Sequence, residues 1–272
     1  MEKVMKYFIM ILILLTAVIA QADSFTIDSV DCDMAGIYSF LPQNNIGART
    51  TQSVGQDWTA RFRSLVFRPP SAFNDSMIAH DDVTWDSLII ILTAQYAAKP
   101  ITDNDSVCVV GYVLIQNAWV EGAGGGTDGV DTCGVCWDSA NSTGHTDCAG
   151  DATDWNTNGA EGVDTDREDN RLQWLVSGSY QDSIWFDSTY QAGDSIRIKV
   201  TGSDLTDTLN NAGILLKQIQ VVDNEEDHEV MISFNADDCA TAVWRPTFIA
   251  YFTEGGEEET TGRRRRLYGG NR

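Results

Sequence analysis

The feature that most limits the possible folds is a series of short apolar segments separated by Asn, Asp, Gly and Ser. The segment DSIRIKVTGSDL alternates Ile196 and Ile198 with Arg197 and Lys199, which is the period-2 pattern of a half-buried strand. No segment combines a long 3.6-residue apolar period with helix caps. Five further strand-like segments are 86–98, 105–119, 212–223, 228–236 and 245–254. We therefore predict an all-β fold, a mainly antiparallel β-sandwich with short helices at most.

The chain divides into three predicted parts. Residues 1–22 hold two lysines, an unbroken apolar run and the motif AQA, which together are typical of a cleaved secretory signal peptide. The apolar run is shorter than the ~20 residues that span a bilayer. We predict a signal peptide over 1–22, a single β-sandwich domain over 23–254 and a flexible charged tail over 255–272. The protein is then secreted or held at the cell surface.

The excess of acidic residues limits the kinds of partner that the protein can bind. The chain carries 40 Asp and Glu against 18 Lys and Arg, a formal net charge of −22. Such a surface repels nucleic acid and anionic membranes. We therefore predict no nucleic-acid partner, and no membrane partner after signal cleavage. The remaining partners are a polysaccharide or further copies of the chain, and the acidic surface also suits divalent cations.

Residues 121–173 differ from the rest of the chain. This region is rich in Gly, Asp, Thr and Asn and has almost no aliphatic runs. A loop of this length within a domain is usually functional or disordered. Trp119, Trp137 and Trp155, together with three cysteines, favour order, because each can attach the loop to the body of the domain. We predict one long loop, rich in Gly, Asp, Trp and Cys, that its tryptophans hold against the sandwich.

Six cysteines indicate disulfides, because a secretory signal leads to an oxidising compartment. The disulfide candidates are Cys32, Cys108, Cys133, Cys136, Cys148 and Cys239. A zinc site is the less favoured alternative, since exported thiols oxidise. Three thiolates and one imidazole would make a sensible tetrahedral set. The zinc candidates are Cys133, Cys136, His145 and Cys148.

The acidic loop also suggests calcium. In DTDRED, the candidate ligands Asp164, Asp166 and Asp169 are hard oxygen donors on one short segment, which suits Ca²⁺. The segment lacks the glycine and the closing Glu of an EF-hand loop. A solvated acidic loop in an acidic protein would contain the same residues, so the calcium site and the solvated loop both stay open as interpretations.

No catalytic motif stands out. The three histidines lie outside recognisable nucleophile motifs, and G-x-S-x-G is absent. A carboxylate pair could hydrolyse glycosides, but nothing in the sequence selects one. The densest aromatic segment, YQDSIWFDSTY, offers Tyr180, Trp185 and Tyr190 as ligand-binding residues, because the C–H face of a sugar packs on aromatic rings.

Three segments in the middle of the chain resemble a known family. AWVEGAGGGTDG, GVCWDSAN and DWNTNGAEGVDTDRED are similar to the central region of DNRLRE-type domains, which are disaggregatase-related carbohydrate-binding β-sandwich modules. The resemblance runs over about residues 30–254, although Cys136 replaces the usual Thr and the family usually lacks these cysteines. It implies a jelly-roll sandwich of extracellular proteins, with a calcium site in some members.

Three functional hypotheses follow. The first is a secreted, non-catalytic β-sandwich that binds extracellular polysaccharide, with calcium ordering the long loop. The second is a structural subunit of a surface layer, filament or extracellular matrix. The third is a polysaccharide lyase or hydrolase. The resemblance constrains the fold more than the function, because one fold carries many functions.

Overall fold

The computed structural model describes residues 23–27, 33–41, 46–47, 49–57, 60–66, 83–95, 105–115, 119, 134–135, 137–141, 153–201, 213–222 and 229–254. The strands of this part are β1 (Asp23–Ile27), β2 (Met34–Tyr38), β3 (Thr51–Asp57), β4 (Ala60–Val66), β5 (Val83–Gln95), β6 (Ser106–Leu114), β7 (Ser139–Asn141), β8 (Thr153–Asp154), β9 (Arg167–Arg171), β10 (Gln173–Val176), β11 (Ser179–Gln181), β12 (Ile184–Phe186), β13 (Ser195–Val200), β14 (Ile214–Val222), β15 (Glu229–Asn235) and β16 (Thr247–Glu254). A 3₁₀ turn covers Ala242–Trp244. None of the described helices is long and apolar enough to cross a bilayer.

The strands form an antiparallel sheet that curls into a half-barrel with two facing layers. Layer A has the order β1-β16-β5-β13-β10-β11. Layer B has the order β15-β3-β4-β14-β6-β12, with β2 beside β4 and β9 beside β6. Strand β5 joins the layers, because Thr93 pairs with β13 while Ala94 and Gln95 pair with β15. The prediction of an all-β, antiparallel, sandwich-like fold is confirmed.

The main core lies between the two layers and follows the predicted alternation. Ile196, Ile198 and Val200 of β13 are buried, whereas Arg197 is exposed and Lys199 is half-buried on the opposite face. Strand β5 has an unbroken Leu-Ile run, yet it alternates in the same way. Its even-numbered residues enter the core, and its odd-numbered isoleucines face outward. Burial of apolar side chains from both layers is the main force that holds the sandwich together.

The predicted flanking parts, 1–22 and 255–272, lie outside the described residues. Strand β1 begins at Asp23 and pairs antiparallel with β16, which ends at Glu254. The first and last strands of the predicted domain are therefore neighbours in layer A.

Candidate functional site

The long loop covers part of the outer face of layer B. Trp119 and Trp155 are 1% and 4% exposed and form a second core, on the far side of the sheet from the main one. Trp137 packs against it. The predicted anchoring of the loop by its tryptophans is confirmed. The buried members of this second core are Ala35, Ile37, Leu114, Trp119, Val135, Trp155, Ala160 and Leu215.

A group of charged residues attaches the loop to the same face. In this Glu161 cluster, the Glu161 carboxylate forms ion pairs with Arg63 of β4, Arg167 of β9 and Lys217 of β14. Lys217 Nζ lies 2.5 Å from Glu161 Oε2, and Arg167 Nη2 lies 3.8 Å from the same oxygen. The Arg63 side chain is 2% exposed. One loop carboxylate thus connects three strands that are distant in sequence.

Aromatic rings and one glycine complete the Glu161 cluster. The guanidinium of Arg63 stacks 4.4 Å from the ring centroid of Trp137, and its Nη1 donates a hydrogen bond to the carbonyl oxygen of Gly159. Gly159 has φ +76°, and a Cβ there would collide with Arg63 and lie about 2.9 Å from the Trp137 ring. Only glycine fits such a position without strain. The guanidinium of Arg167 stacks 4.0 Å from the ring of Tyr112 in the same way.

Burial is the largest influence on the titration of this cluster, and the neighbouring charges oppose it. Burial lowers the pKa of the Arg63 guanidinium to about 10, against the opposite effect of Glu161. Burial by itself would raise the pKa of the Glu161 carboxyl, but the charge of Arg63 and the hydrogen bond from Lys217 hold this pKa below its usual value of 4.5. Glu161 and Arg63 are both charged at neutral pH, so the ion pair is intact there.

The predicted calcium ligand Asp166 holds the loop's own backbone. It is fully buried, and its Oδ1 accepts hydrogen bonds from the backbone N–H and the side-chain amide of Asn156, at 2.8 and 3.0 Å. Its Oδ2 accepts hydrogen bonds from the backbone N–H groups of Thr157 and Gly162, at 2.9 and 3.0 Å. A carboxylate has about four acceptor sites, and here each has a donor.

The structure does not bring the three predicted calcium ligands together. Asp164 is exposed, with a left-handed φ of 58°, and Asp169 is exposed on β9, whereas Asp166 is buried. In the part of the chain that the structure describes, no group of three or more His, Cys, Asp or Glu residues is placed to hold a metal ion. The calcium site stays a prediction.

Two of the six cysteines are described, and both are free thiols. Cys108 lies on β6, where burial raises the pKa of its thiol. Cys239 follows β15, and its Sγ lies 3.4 Å from Oδ1 of Asn235. Cys108 and Cys239 do not pair with each other, and the disulfides stay a prediction. Cys32, Cys133, Cys136 and Cys148, and with them His145 and the zinc alternative, lie outside the described residues.

The outer face of layer A carries a groove. Its volume is about 230 Å³, and its floor and walls come from strands β5, β11, β13 and β16. Half-buried isoleucines form its apolar part, tyrosines stand at two positions, and two cations lie on β13. The residues that line it are Ser87, Ile89, Ile91, Tyr180, Arg197, Lys199, Ile249 and Tyr251.

Strand pairing explains why these residues meet. Ile249 lies opposite Ile89, and Ile89 lies opposite Lys199 on its other side, so the three form a row across β16, β5 and β13. The Lys199 ammonium lies 4.9 Å from the ring centroid of Tyr180. Arg197 is exposed and makes no ion pair with any described residue. The groove therefore combines apolar groups, aromatic groups and two cations that have no acidic partner among the described residues, within a strongly acidic chain.

The three predicted ligand-binding aromatics do not form one site. Tyr180 is 44% exposed and lines the groove. Trp185 is 40% exposed but lies on β12, opposite Cys108, on the outer face of layer B. Tyr190 packs on Phe186, with ring centroids 4.8 Å apart, at the edge of the main core. Burial, followed by the charges of Asp187 and Asp194, raises the pKa of its hydroxyl.

Reasoning from the sequence missed Tyr251, Ile249 and Arg197 as site residues. A signal for Arg197 was present, because the alternation of β13 places it outward with Lys199. Tyr251 and Ile249 gave no such signal, since their contribution depends on the pairing of β16 with β5.

No model of a known protein family and no curated protein sequence matches this chain. The resemblance to DNRLRE-type domains, and the jelly-roll topology and calcium site that it implies, stay predictions.

Proposed function

We propose that the protein is a secreted, non-catalytic β-sandwich that binds extracellular polysaccharide in the groove of layer A, with a preference for acidic polysaccharides. The observation that carries this proposal is the presence of Arg197 and Lys199 in an aromatic and apolar groove. The chain has a formal net charge of −22, and neither of these two cations has an acidic partner among the described residues. A carboxylate or sulfate group on a sugar would supply the missing counter-charge.

The other groups of the groove suit the uncharged parts of a sugar. The rings of Tyr180 and Tyr251 offer apolar faces for the C–H groups of a pyranose, and their hydroxyls donate and accept hydrogen bonds. Ile89 and Ile249 give an apolar floor between them. Aromatic faces with a few well-placed polar groups are typical of small-ligand sites.

Affinity electrophoresis tests the proposal. Gels contain polygalacturonate or dextran sulfate as acidic probes, and dextran or hydroxyethyl cellulose as neutral ones. We expect the two acidic polymers to retard the protein more than the neutral ones, with retardation that weakens as salt is raised. Migration unchanged by all four polymers would overturn the proposal.

Two pairs of substitutions locate the site. Arg197→Ala combined with Lys199→Ala should abolish retardation by the acidic polymers. Arg61→Ala combined with Arg171→Ala is the matched control, because it removes the same charge from exposed positions of layer B. Equal loss of retardation in both double variants would show non-specific attraction and would overturn a site in the groove.

Calcium is part of the proposal as an ion that orders the long loop. The same gels, run with calcium or with a chelator, test it. Weaker retardation in the chelator gels supports a calcium contribution, and identical retardation removes calcium from the proposed function. Because the groove and the loop lie on opposite layers, the gels without calcium also show whether the groove binds independently of the loop.

A further inference from the structure

A straight row of outward-facing side chains crosses five strands of layer A and passes through the groove. The register places each residue opposite the next, on β1, β16, β5, β13 and β10 in turn. The members of the row are Thr26, Ile249, Ile89, Lys199 and Gln173. Neighbouring strands lie about 4.8 Å apart, so the row spans ~19 Å. The groove covers the middle of this row, and the face continues beyond it on both sides.

Strand β1 supplies the side of the row that is remote from the cations. Ser24 lies opposite Tyr251, and Thr26 lies opposite Ile249. Both residues are exposed, and neither hydroxyl makes a hydrogen bond to another described residue. A hydroxyl both donates and accepts hydrogen bonds, as sugar hydroxyls do. The two hydroxyls lie beside the groove, and no described residue uses them as a donor or an acceptor.

We infer that the site holds an internal stretch of several sugar units laid across the strands, with Ser24 and Thr26 binding the unit furthest from Arg197 and Lys199. This inference rests on the proposed function. A single sugar ring is too short to reach both Thr26 and Lys199, whereas several units in line reach both. The charged side of the row fixes one acidic group, and the hydroxyl side adds contacts that only a longer chain can make.

Titration calorimetry with short oligosaccharides tests the length of the site. The probes are the disaccharide and the hexasaccharide prepared from polygalacturonate or dextran sulfate, whichever retards the protein in gels. We expect the hexasaccharide to bind about tenfold or more tightly than the disaccharide. Equal affinity per site for the two lengths would overturn the inference.

A double variant tests the role of β1. Ser24→Ala with Thr26→Ala should weaken hexasaccharide binding several-fold and leave disaccharide binding unchanged, because only the longer probe reaches β1. Thr157→Ala with Thr165→Ala is the matched control, since both hydroxyls are exposed on the loop of layer B. Hexasaccharide affinity that is unaffected by the β1 variant would overturn the assignment of these residues.

The two proposals fail in different ways. If neither the polymers nor the oligosaccharides bind, the proposed function is wrong and the inference falls with it. If the polymers bind and both oligosaccharides bind equally well, the function stands and only the extended site is wrong.

Discussion

The two outer faces of the sandwich carry apolar residues, but in the part of the chain that the structure describes a loop covers only one of them. On layer B, Ala35, Ile37 and Leu215 lie under the long loop and its tryptophans. On layer A, Ile89 and Ile249 are half-buried in a groove, beside two cations that make no ion pair with a described residue. An apolar outer face in a sheet is normally covered by another element or by a partner.

The charged side chains beneath the loop and those in the groove also differ in whether they form ion pairs. On layer B, the buried Arg63 and the half-buried Lys217 form ion pairs with Glu161 of the loop, whereas Arg61 and Arg171 are exposed. The cations of layer A, Arg197 and Lys199, have no acidic partner among the described residues. Beneath the loop, other residues of the chain cover the apolar area and pair with the charges, which indicates a structural role. In the groove of layer A, neither the apolar area nor the cations have such a partner among the described residues, and the groove is the better candidate for binding.

Removal of a loop tryptophan should give the largest loss of stability. Trp155→Ala empties a nearly fully buried position of the second core and should lower the free energy of unfolding by about 3–5 kcal/mol. Trp185→Ala is the control, because this tryptophan is 40% exposed on the same layer; we expect a loss of about 1 kcal/mol. Urea unfolding followed by circular dichroism measures both. Equal losses would mean that the loop does not contribute a core.

Neutralisation of Glu161 should cause the next largest loss of stability. Glu161→Gln leaves the buried Arg63 guanidinium without its carboxylate, and removal of one partner of a buried ion pair costs about 3 kcal/mol or more. The measurement is again the urea midpoint. Lys199→Gln is the control that changes charge on the open face, where we expect a change within about 0.5 kcal/mol. A Glu161→Gln midpoint equal to that of the wild type would contradict the role of the cluster.

The same ion pair should make the free energy of unfolding depend on pH, and we expect this change to be smaller than the preceding one. The pKa of Glu161 is lowered on folding, so its contribution is fully present above the unfolded pKa near 4.5 and is lost as the pH falls through the lower folded pKa. The stability difference between wild type and Glu161→Gln should therefore shrink as the pH falls below about 4.5. Unfolding curves between about pH 7 and pH 3 measure this difference. A constant difference over that range would exclude the ion pair as its source.

The groove substitutions should change stability least. Arg197→Ala with Lys199→Ala should leave the free energy of unfolding within about 0.5 kcal/mol of the wild type, because Arg197 is exposed and Lys199 makes no ion pair with a described residue. Binding of acidic polymers should be lost at the same time. A large loss of stability would show that the cations belong to the structure, and the distinction between the two faces would disappear.

Some site features could be predicted from the sequence, because they depend on short-range patterns. The alternation of β13 indicates that Arg197 and Lys199 face outward. The tryptophans of the long loop indicate that it is anchored, as Trp119 and Trp155 show. The spacing of the carboxylates in DTDRED did not indicate that Asp166 is buried, because its burial depends on how the loop folds around it.

The aromatic cluster shows the limit of reasoning from nearby positions. Tyr180, Trp185 and Tyr190 are close in sequence, yet they lie in the groove, on the opposite layer and at the core edge, respectively. Short strands and turns reverse direction between them. Closeness in sequence therefore does not mean a shared surface in an antiparallel fold.

The sequence by itself determined the all-β class, because a period-2 apolar pattern is local and needs no knowledge of strand pairing. It also determined the acidic character of the surface. Only the tertiary structure decided which outer face the loop covers. The loop's Glu161 meets Arg63, and Ile249 comes to lie in one row with Ile89 and Lys199, through contacts between strands far apart in the chain. Such long-range pairing depends on register and packing across the whole sheet, and no short stretch of sequence contains it.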